Sequence, residues 1–370
     1  MSETRILLVK TSSLGDVVHL LPALTEAAAR RPQLRFDWLV EEAFAEIPAW
    51  HPAVATVLTV PFRAWRRTPL AVWRDGRWGD FLARLRHHHY DLVIDAQGLV
   101  KSAFLASRAI GRRAGPGFAS AREPLAALAY GRRIDLPAGA HAVARLRALL
   151  GAALGYVPGP EAPAYGLEAR IEAIRAASPA AADRILLLHG SSWPNKCWPE
   201  AHWCDLARRL AADGFELAVP WGTAQERPRA ERIAAAGGGE VLPRGPLAPL
   251  FEALVLARGV VGVDSGLLHL AAAAGTPGVA LFGPTDPART GPWGGRIEPL
   301  AATLGCVPCL QRRCMSTEPA RLQVAADGAP AAVALEPPCL ADLTPARVQR
   351  SLREVLAAPV DAAGRPRVRP

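Results

Sequence analysis

At 370 residues the chain is long for one domain and suits two of ordinary size, and half of its residues are hydrophobic, enough for sizeable cores. No apolar region follows a basic N-terminal region, and the uncharged stretch 265–285 is broken by Gly275, Pro277, Gly283 and Pro284. Neither a secretory signal nor a membrane span is read here, and a cytoplasmic protein is expected.

The formal net charge is +9, and residues 1–160 carry 21 Lys and Arg against 13 Asp and Glu, so the excess lies in the first half. Such a field suits an anionic partner: nucleic acid, a membrane surface or a charged small molecule. Of the 43 basic residues only Lys10, Lys101 and Lys196 are lysines. In so Arg-rich a chain, a retained lysine marks a place where a compact charge is needed rather than a planar fork.

Residues 5–9 read as a buried strand and 17–30 as a helix, joined by a tight turn in TSSLGD, residues 11–16. Asp16 falls at the mouth of that helix, at the carboxyl end of the strand, where open α/β sheets bind ligands. It reads either as an N-cap or as a functional carboxylate. Strands at 36–40, 55–60 and 91–95 follow, with helices at 41–49 and 78–88, an α/β alternation. Residues 61–78 interleave five arginines with three tryptophans. No RRM, KH or helix-turn-helix signature accompanies them, so nucleic acid is not the expected partner. The segment reads as a loop and short helix offering guanidinium groups to an anionic ligand. His87, His88 and His89 are consecutive and read as surface residues. The stretch DAQGLVKS, 95–102, puts Asp95, Gln97 and Lys101 on the same rim as Asp16. Residues 111–133 are basic and loop-like, 141–154 form a helix, and the Pro- and Gly-rich 156–165 is a candidate linker.

The alternation restarts with a strand at 184–188 that leads into HGSSWPNKCWP, 189–199. Small residues there bring backbone N–H groups close to phosphate oxygens. Strands at 215–219, 241–242 and 259–263 alternate with helices at 200–212, 224–236 and 247–257. The last strand opens into Asp264-Ser265-Gly266 at a helix N-terminus, again a phosphate site on physical grounds. The chain has no G-x-G-x-x-G, no Walker A sequence and no Asp-x-Asp metal pair. Cys306, Cys309, Cys314 and Cys339 have a spacing that allows a structural zinc site, or else thiols or a disulfide. Residues 344–356 read as a last helix and 359–370 as a disordered tail.

The motifs VKTSSLGDVVHLLPAL (9–24), WLVEEAFAEIPAWHP (38–52), YDLVIDAQGLVKSA (90–103), SAREPLA (120–126), NKCWPEAHW (195–203), PWGTAQE (220–226) and VDSGLLHLAAAAGTPGVALFGPTDP (263–287) together resemble the lipopolysaccharide heptosyltransferases of glycosyltransferase family 9, most closely their type I branch. The resemblance runs from about residue 5 to 300. It implies a GT-B architecture, an α/β fold of two Rossmann-like domains facing an interdomain cleft. Domain 1–160 would bind the acceptor and carry the base, 161–343 would bind the donor and carry the cysteine insertion, and 344–370 would form a helix and tail.

The implied activity is inverting transfer of L-glycero-D-manno-heptose from ADP-heptose to a Kdo residue of the lipid A inner core, with no cofactor required. The enzyme would sit peripherally on the cytoplasmic face of the inner membrane. Addition of heptose to heptose, as in the type II branch, and sugar-nucleotide epimerisation on the same fold are the alternatives. Asp16 is the implied base. Donor contacts are implied for Ser191, Ser192, Lys196, Glu226, Asp264, Ser265, Gly266 and His269. Acceptor contacts are implied for Ser13, Gly15, Arg63, Arg66, Lys101, Arg122 and Arg145. Position 265 is Ser where the family pattern has Thr, which keeps the hydroxyl.

Overall fold

A computed structural model describes residues 4–161, 164–178, 182–294, 296–315 and 337–358. The chain divides into two compact units, Met1–Arg170 and Ile171–Pro370. In the first unit, strands β1 (Thr4–Val9), β2 (Leu34–Glu41), β3 (Val54–Val60), β4 (His89–Asp95), β5 (Ile110–Pro116) and β6 (Arg132–Ile134) form one parallel sheet ordered β3-β2-β1-β4-β5-β6. The second unit repeats the plan. Its strands β7 (Ala182–Leu188), β8 (Glu216–Val219), β9 (Glu240–Val241), β10 (Ala257–Val263), β11 (Gly278–Phe282) and β12 (Ile297–Ala301) are ordered β12-β11-β10-β7-β8-β9. Counted within each unit, both sheets have the order 3-2-1-4-5-6 of dinucleotide-binding folds.

The central strands are buried on both faces, which is why they read as continuous apolar runs rather than alternating ones. Leu7, Leu8 and Val9 of β1 and Ile185, Leu186 and Leu187 of β7 are fully buried. β1 pairs with β2 on one side and β4 on the other, with Val9 opposite Leu39 and Asp95. β10 pairs with β7 and β11. The chain reverses its winding direction between β1 and β4, and again between β7 and β10. Crevices open at the carboxyl ends of strands at such points.

Two sequence expectations differ from the structure. The first concerns residues 111–133, which contain β5, the 3₁₀ turn Pro124–Ala129 and the start of β6 rather than only loop. Their arginines hid the strand. Arg113 lies half-buried with its Nε donating to the Ala129 carbonyl, and Gly115 admits the Tyr130 ring so closely that a Cβ would lie 2.5 Å from it. The second is the helix expected at 41–49, which is a 3₁₀ turn, Glu42–Phe44, followed by one helical turn, Glu46–Ala49. The last helix falls where the sequence places it, at Pro345–Ala357, and Val348 and Leu352 lie in the second core with Trp198, whose indole N–H donates to the Leu340 and Leu343 carbonyls. Residues 359–370 lie outside the described residues.

Candidate active site

Both turns at the first switch point are built on buried polar side chains. At the end of β4, Asp95 is fully buried and accepts from the Gln97 and Gly98 amides, from Ser102 Oγ at 2.8 Å and from Tyr130 Oη at 2.6 Å. Burial pushes its carboxyl above the ordinary range, although these donors work against the shift. The turn so fixed projects Gln97, whose Oε1 accepts from both the amide and the hydroxyl of Thr11 at 2.8 Å, tying the β4 turn to the β1 turn. Lys101 Nζ donates to Ser12 Oγ at 2.9 Å. Lys10 is buried, with Nζ donating to the Ala96 carbonyl at 2.9 Å. Burial lowers the pKa of both lysines.

Asp16 lies at the focus of this scaffold. The helix Leu14–Arg30 is capped by Ser13, so Asp16 occupies the third helical position rather than the N-cap itself. Its Oδ2 accepts from the Ser13 amide at 2.9 Å, the Ser13 hydroxyl at 3.1 Å and Arg122 Nη1 at 3.3 Å. Its Oδ1 accepts from Arg122 Nη2 at 2.9 Å and faces Lys10 Nζ at 3.9 Å. Burial disfavours the charged form, but Lys10, Arg122 and the Ser13 amide outweigh it and hold the carboxyl well below the usual range. Gly15 is buried in the first turn.

The other basic residues of the first unit divide into two groups. Arg63 and Arg66 are exposed, and their charges, with those of Glu41 and Asp16, act on the Lys101 ammonium. Arg63 stacks over the Phe44 ring, and its amide donates to Glu41 Oε1. Arg145 instead donates to the carbonyls of Pro137 and Ser120, bracing the segment that leads to Arg122. His87 and His89 are exposed, as the sequence suggests.

At the second switch point, the end of β10 supplies Asp264. Its Oδ2 accepts from Lys196 Nζ at 2.6 Å and Thr285 Oγ1 at 2.7 Å, and its Oδ1 faces His269 Nε2 at 3.6 Å. Burial opposes ionisation, but the bonds from His269 and Lys196 prevail, and the carboxyl sits below its usual range. Lys196 also packs over the Trp193 ring at 4.6 Å. Ser265 caps the helix Gly266–Ala273, and its buried Oγ has no hydrogen-bond partner. Across the turn after β7, Ser191 Oγ reaches the Asp264 carbonyl at 3.5 Å, and Ser192 is exposed. Glu226 Oε2 accepts from the Gly222 and Thr223 amides, while Oε1 lies where a Cβ on Gly190 would come within 2.9 Å. A side chain at residue 190 would have to push the Glu226 carboxylate aside. Beside it, burial takes His189 down to about 4, leaving a neutral imidazole.

Thr285, Tyr130 and Thr11 were not singled out by their sequence. Each is a common residue whose role comes from a neighbour distant in the chain. The GPTDP run at the end of β11 was the available signal for Thr285.

The zinc set that the cysteine spacing allows is not assembled. Among the described residues no group of three or more His, Cys, Asp or Glu side chains converges to hold a metal. Cys306 and Cys314 are exposed, whereas Cys339 is buried against Gly283. Burial, with a smaller contribution from the other three thiols, pushes the Cys339 thiol up to about 11. The four thiols thus lie near enough to influence one another, without the convergence that a tetrahedral site needs. Residues 316–336 between them lie outside the described residues.

The model of glycosyltransferase family 9 (heptosyltransferase) matches residues 78–319. Lipopolysaccharide heptosyltransferase 1 of Pseudomonas aeruginosa is 47% identical over 361 residues, covering 96% of this chain and 99% of the relative. The solved E. coli heptosyltransferase WaaC with ADP superposes with a TM-score of 0.80 at 36% identity, covering 95% of this chain and 100% of that one. The same enzyme with ADP-2-deoxy-2-fluoro heptose gives 0.78, covering 95% and 99%. The two parallel sheets are those of a GT-B fold, and the chain belongs to glycosyltransferase family 9, the heptosyltransferases.

Proposed function

We propose that this glycosyltransferase moves L-glycero-D-manno-heptose from ADP-heptose to a Kdo residue of the lipid A inner core, with inversion at the transferred carbon. The observation that carries the reading is the near-complete match to a heptosyltransferase 1, with an ionised carboxylate, Asp16, at the first switch point. Asp16 takes the proton of the acceptor hydroxyl as that oxygen bonds to the anomeric carbon. The bond from that carbon to phosphate breaks, and its electron pair leaves with ADP.

Donor binding falls to the second unit. The amides at the start of Gly266–Ala273, with the partner-free Ser265 hydroxyl, suit a diphosphate oxygen. Lys196 meets the charge that develops on the leaving ADP. Asp264 is itself an anion and does not contact phosphate; it orients Lys196, His269 and Thr285. Glu226 accepts hydrogen bonds, which suits the ribose hydroxyls. Ser191 and Ser192 line the same turn. Arg63, Arg66, Lys101 and Arg122 suit the carboxylate of Kdo and the phosphates of lipid A.

We place the enzyme at the cytoplasmic face of the inner membrane. No helix among the described residues is long and apolar enough to cross a membrane. The basic first half, with Leu70 86% and Trp73 74% exposed among arginines, supports contact with an anionic surface. The deciding experiment incubates the purified chain with ADP-heptose and Kdo-lipid A and weighs the product. A single added heptose is expected, and no mass increase on that acceptor would overturn the reading.

A further inference from the structure

A carboxylate offers about four lone-pair positions. On Asp16, Oδ2 accepts from the amide and hydroxyl of Ser13 and from Arg122 Nη1, while Oδ1 accepts from Arg122 Nη2 with Lys10 Nζ 3.9 Å away. So arranged, Oδ2 is fully engaged, and the one position left on Oδ1 lies between two cations that make it a poor proton acceptor. Loss of one partner would free the carboxylate to accept a proton, and the structure distinguishes which can go. Ser13 is fixed by the helix cap, and Lys10 is buried and bonded to the Ala96 carbonyl. Arg122 is different. Its backbone is pinned, since the Glu123 amide donates to the Gly98 carbonyl and the Val100 amide to Glu123 Oε2. Its side chain, however, is 56% exposed, and the hydrogen bonds it makes go to Asp16 itself. An ion pair this open to water exchanges one anion for another at little cost, and a guanidinium fork accepts a carboxylate or phosphate in the same two-pronged way.

We propose that Arg122 is a displaceable cap on Asp16, drawn off by the anionic group of the acceptor, so that the base is uncovered only when the acceptor is in place. The proposal rests on the reading of Asp16 as the general base. Its chemical effect is to protect the donor. Water attacking the anomeric carbon would form the same C–O bond, release the same ADP with its electron pair and give its proton to the same carboxylate, wasting ADP-heptose as free heptose. With Arg122 in place, Asp16 does not activate that water. Arg122 is thus a positioning residue for the base as well as a contact for the acceptor.

The test follows ADP release from ADP-heptose without acceptor, beside transfer to Kdo-lipid A, in wild type, Arg122→Ala, Arg122→Gln, Asp16→Asn and the Arg122→Ala/Asp16→Asn double variant. Arg122→Ala is expected to raise acceptor-free hydrolysis about tenfold while lowering transfer, and Asp16→Asn in the same chain is expected to abolish that rise. Arg122→Gln serves if the alanine variant folds poorly. An unchanged or lower hydrolysis rate in folded Arg122 variants, with Asp16→Asn inactive in transfer, overturns the cap and leaves the base reading intact. A rise that persists in the double variant also overturns it, because the released activity would not pass through Asp16. Normal transfer by Asp16→Asn removes the base reading and the cap with it.

Discussion

Asp16→Asn preserves the size of the side chain and an oxygen that accepts from the Ser13 amide, so the helix start is kept. The expected result is a melting temperature close to wild type, retained ADP-heptose binding and a kcat lower by about 10²–10⁴-fold. A structural role alone would give the reverse: an active Asn variant and an Ala variant weakened by about 0.5–2 kcal/mol through the damaged helix start. On the donor side, Lys196→Ala should weaken ADP binding and transfer together, because its charge offsets the diphosphate before and during the reaction. Asp264→Asn is expected to give a milder version of that loss, since it releases Lys196 without removing it. Titration calorimetry with ADP on both variants decides this. Asp16 and Asp264 were visible in the sequence because each stands beside a Gly or Ser in the turn after a strand, and the lysines because they are three among 43 basic residues. The geometry that decides what Asp16 can do was not visible, because Arg122 lies 106 positions away in a segment without helical or strand periodicity.

Among the elements, the one-turn helix Phe62–Trp65 and the helix Pro69–Arg74 carry the most exposed chemistry. Trp65 and Val72 turn inward to Phe81 and Leu85, while Leu70 and Trp73 face solvent among Arg66, Arg67 and Arg74. Two apolar side chains ringed by guanidinium groups suit the interface of an anionic bilayer. The variant Leu70→Ser/Trp73→Ser should co-sediment several-fold less with phosphatidylglycerol vesicles than wild type. Raising the salt should weaken the binding of both. Turnover on a soluble, deacylated acceptor should remain unchanged. Equal sedimentation of the two proteins would show that this segment does not touch the bilayer. The sequence marked this stretch by its Arg and Trp content. It marked β5 poorly, because a strand next to the sheet edge needs no continuous apolar run and Gly and Arg occupy four of its seven positions.

At the scale of the whole molecule, the two sheets repeat one strand order, and each places its chemistry where the winding reverses. That plan was legible from the strand-then-polar-turn rhythm of TSSLGD, DAQGLVKS, HGSS and DSG. The stability of the first unit depends on a pair that the rhythm does not reveal. Glu26 accepts from Arg147 at 2.8 and 2.9 Å and from the Gly159 amide, all buried or half-buried. Burial raises the pKa of Glu26, but the bonds from Arg147 and Gly159 prevail and lower it. A lowered folded-state pKa gives stability that is complete above the unfolded value of about 4.5 and is lost as pH falls through the folded value. Glu26→Ala should therefore destabilise the first unit by about 3 kcal/mol at neutral pH, because it leaves Arg147 buried and unpaired. The gap from wild type should narrow below about pH 4, as thermal unfolding across pH will show.

The Glu26 clamp also bears on where the chain can be cut. Residues 156–161 run without regular structure and look like a tether, yet Gly159 is bonded to Glu26 and Pro158 packs on Gly151. Beyond them Gly166 abuts His51 and Thr25, and the Arg170 guanidinium lies over the Trp50 ring. An expression fragment ending at 160 would strip His51 and Trp50 of these neighbours, whereas one ending at 170 keeps them. The longer fragment should give a dispersed amide spectrum and the shorter one an aggregating or partly unfolded product.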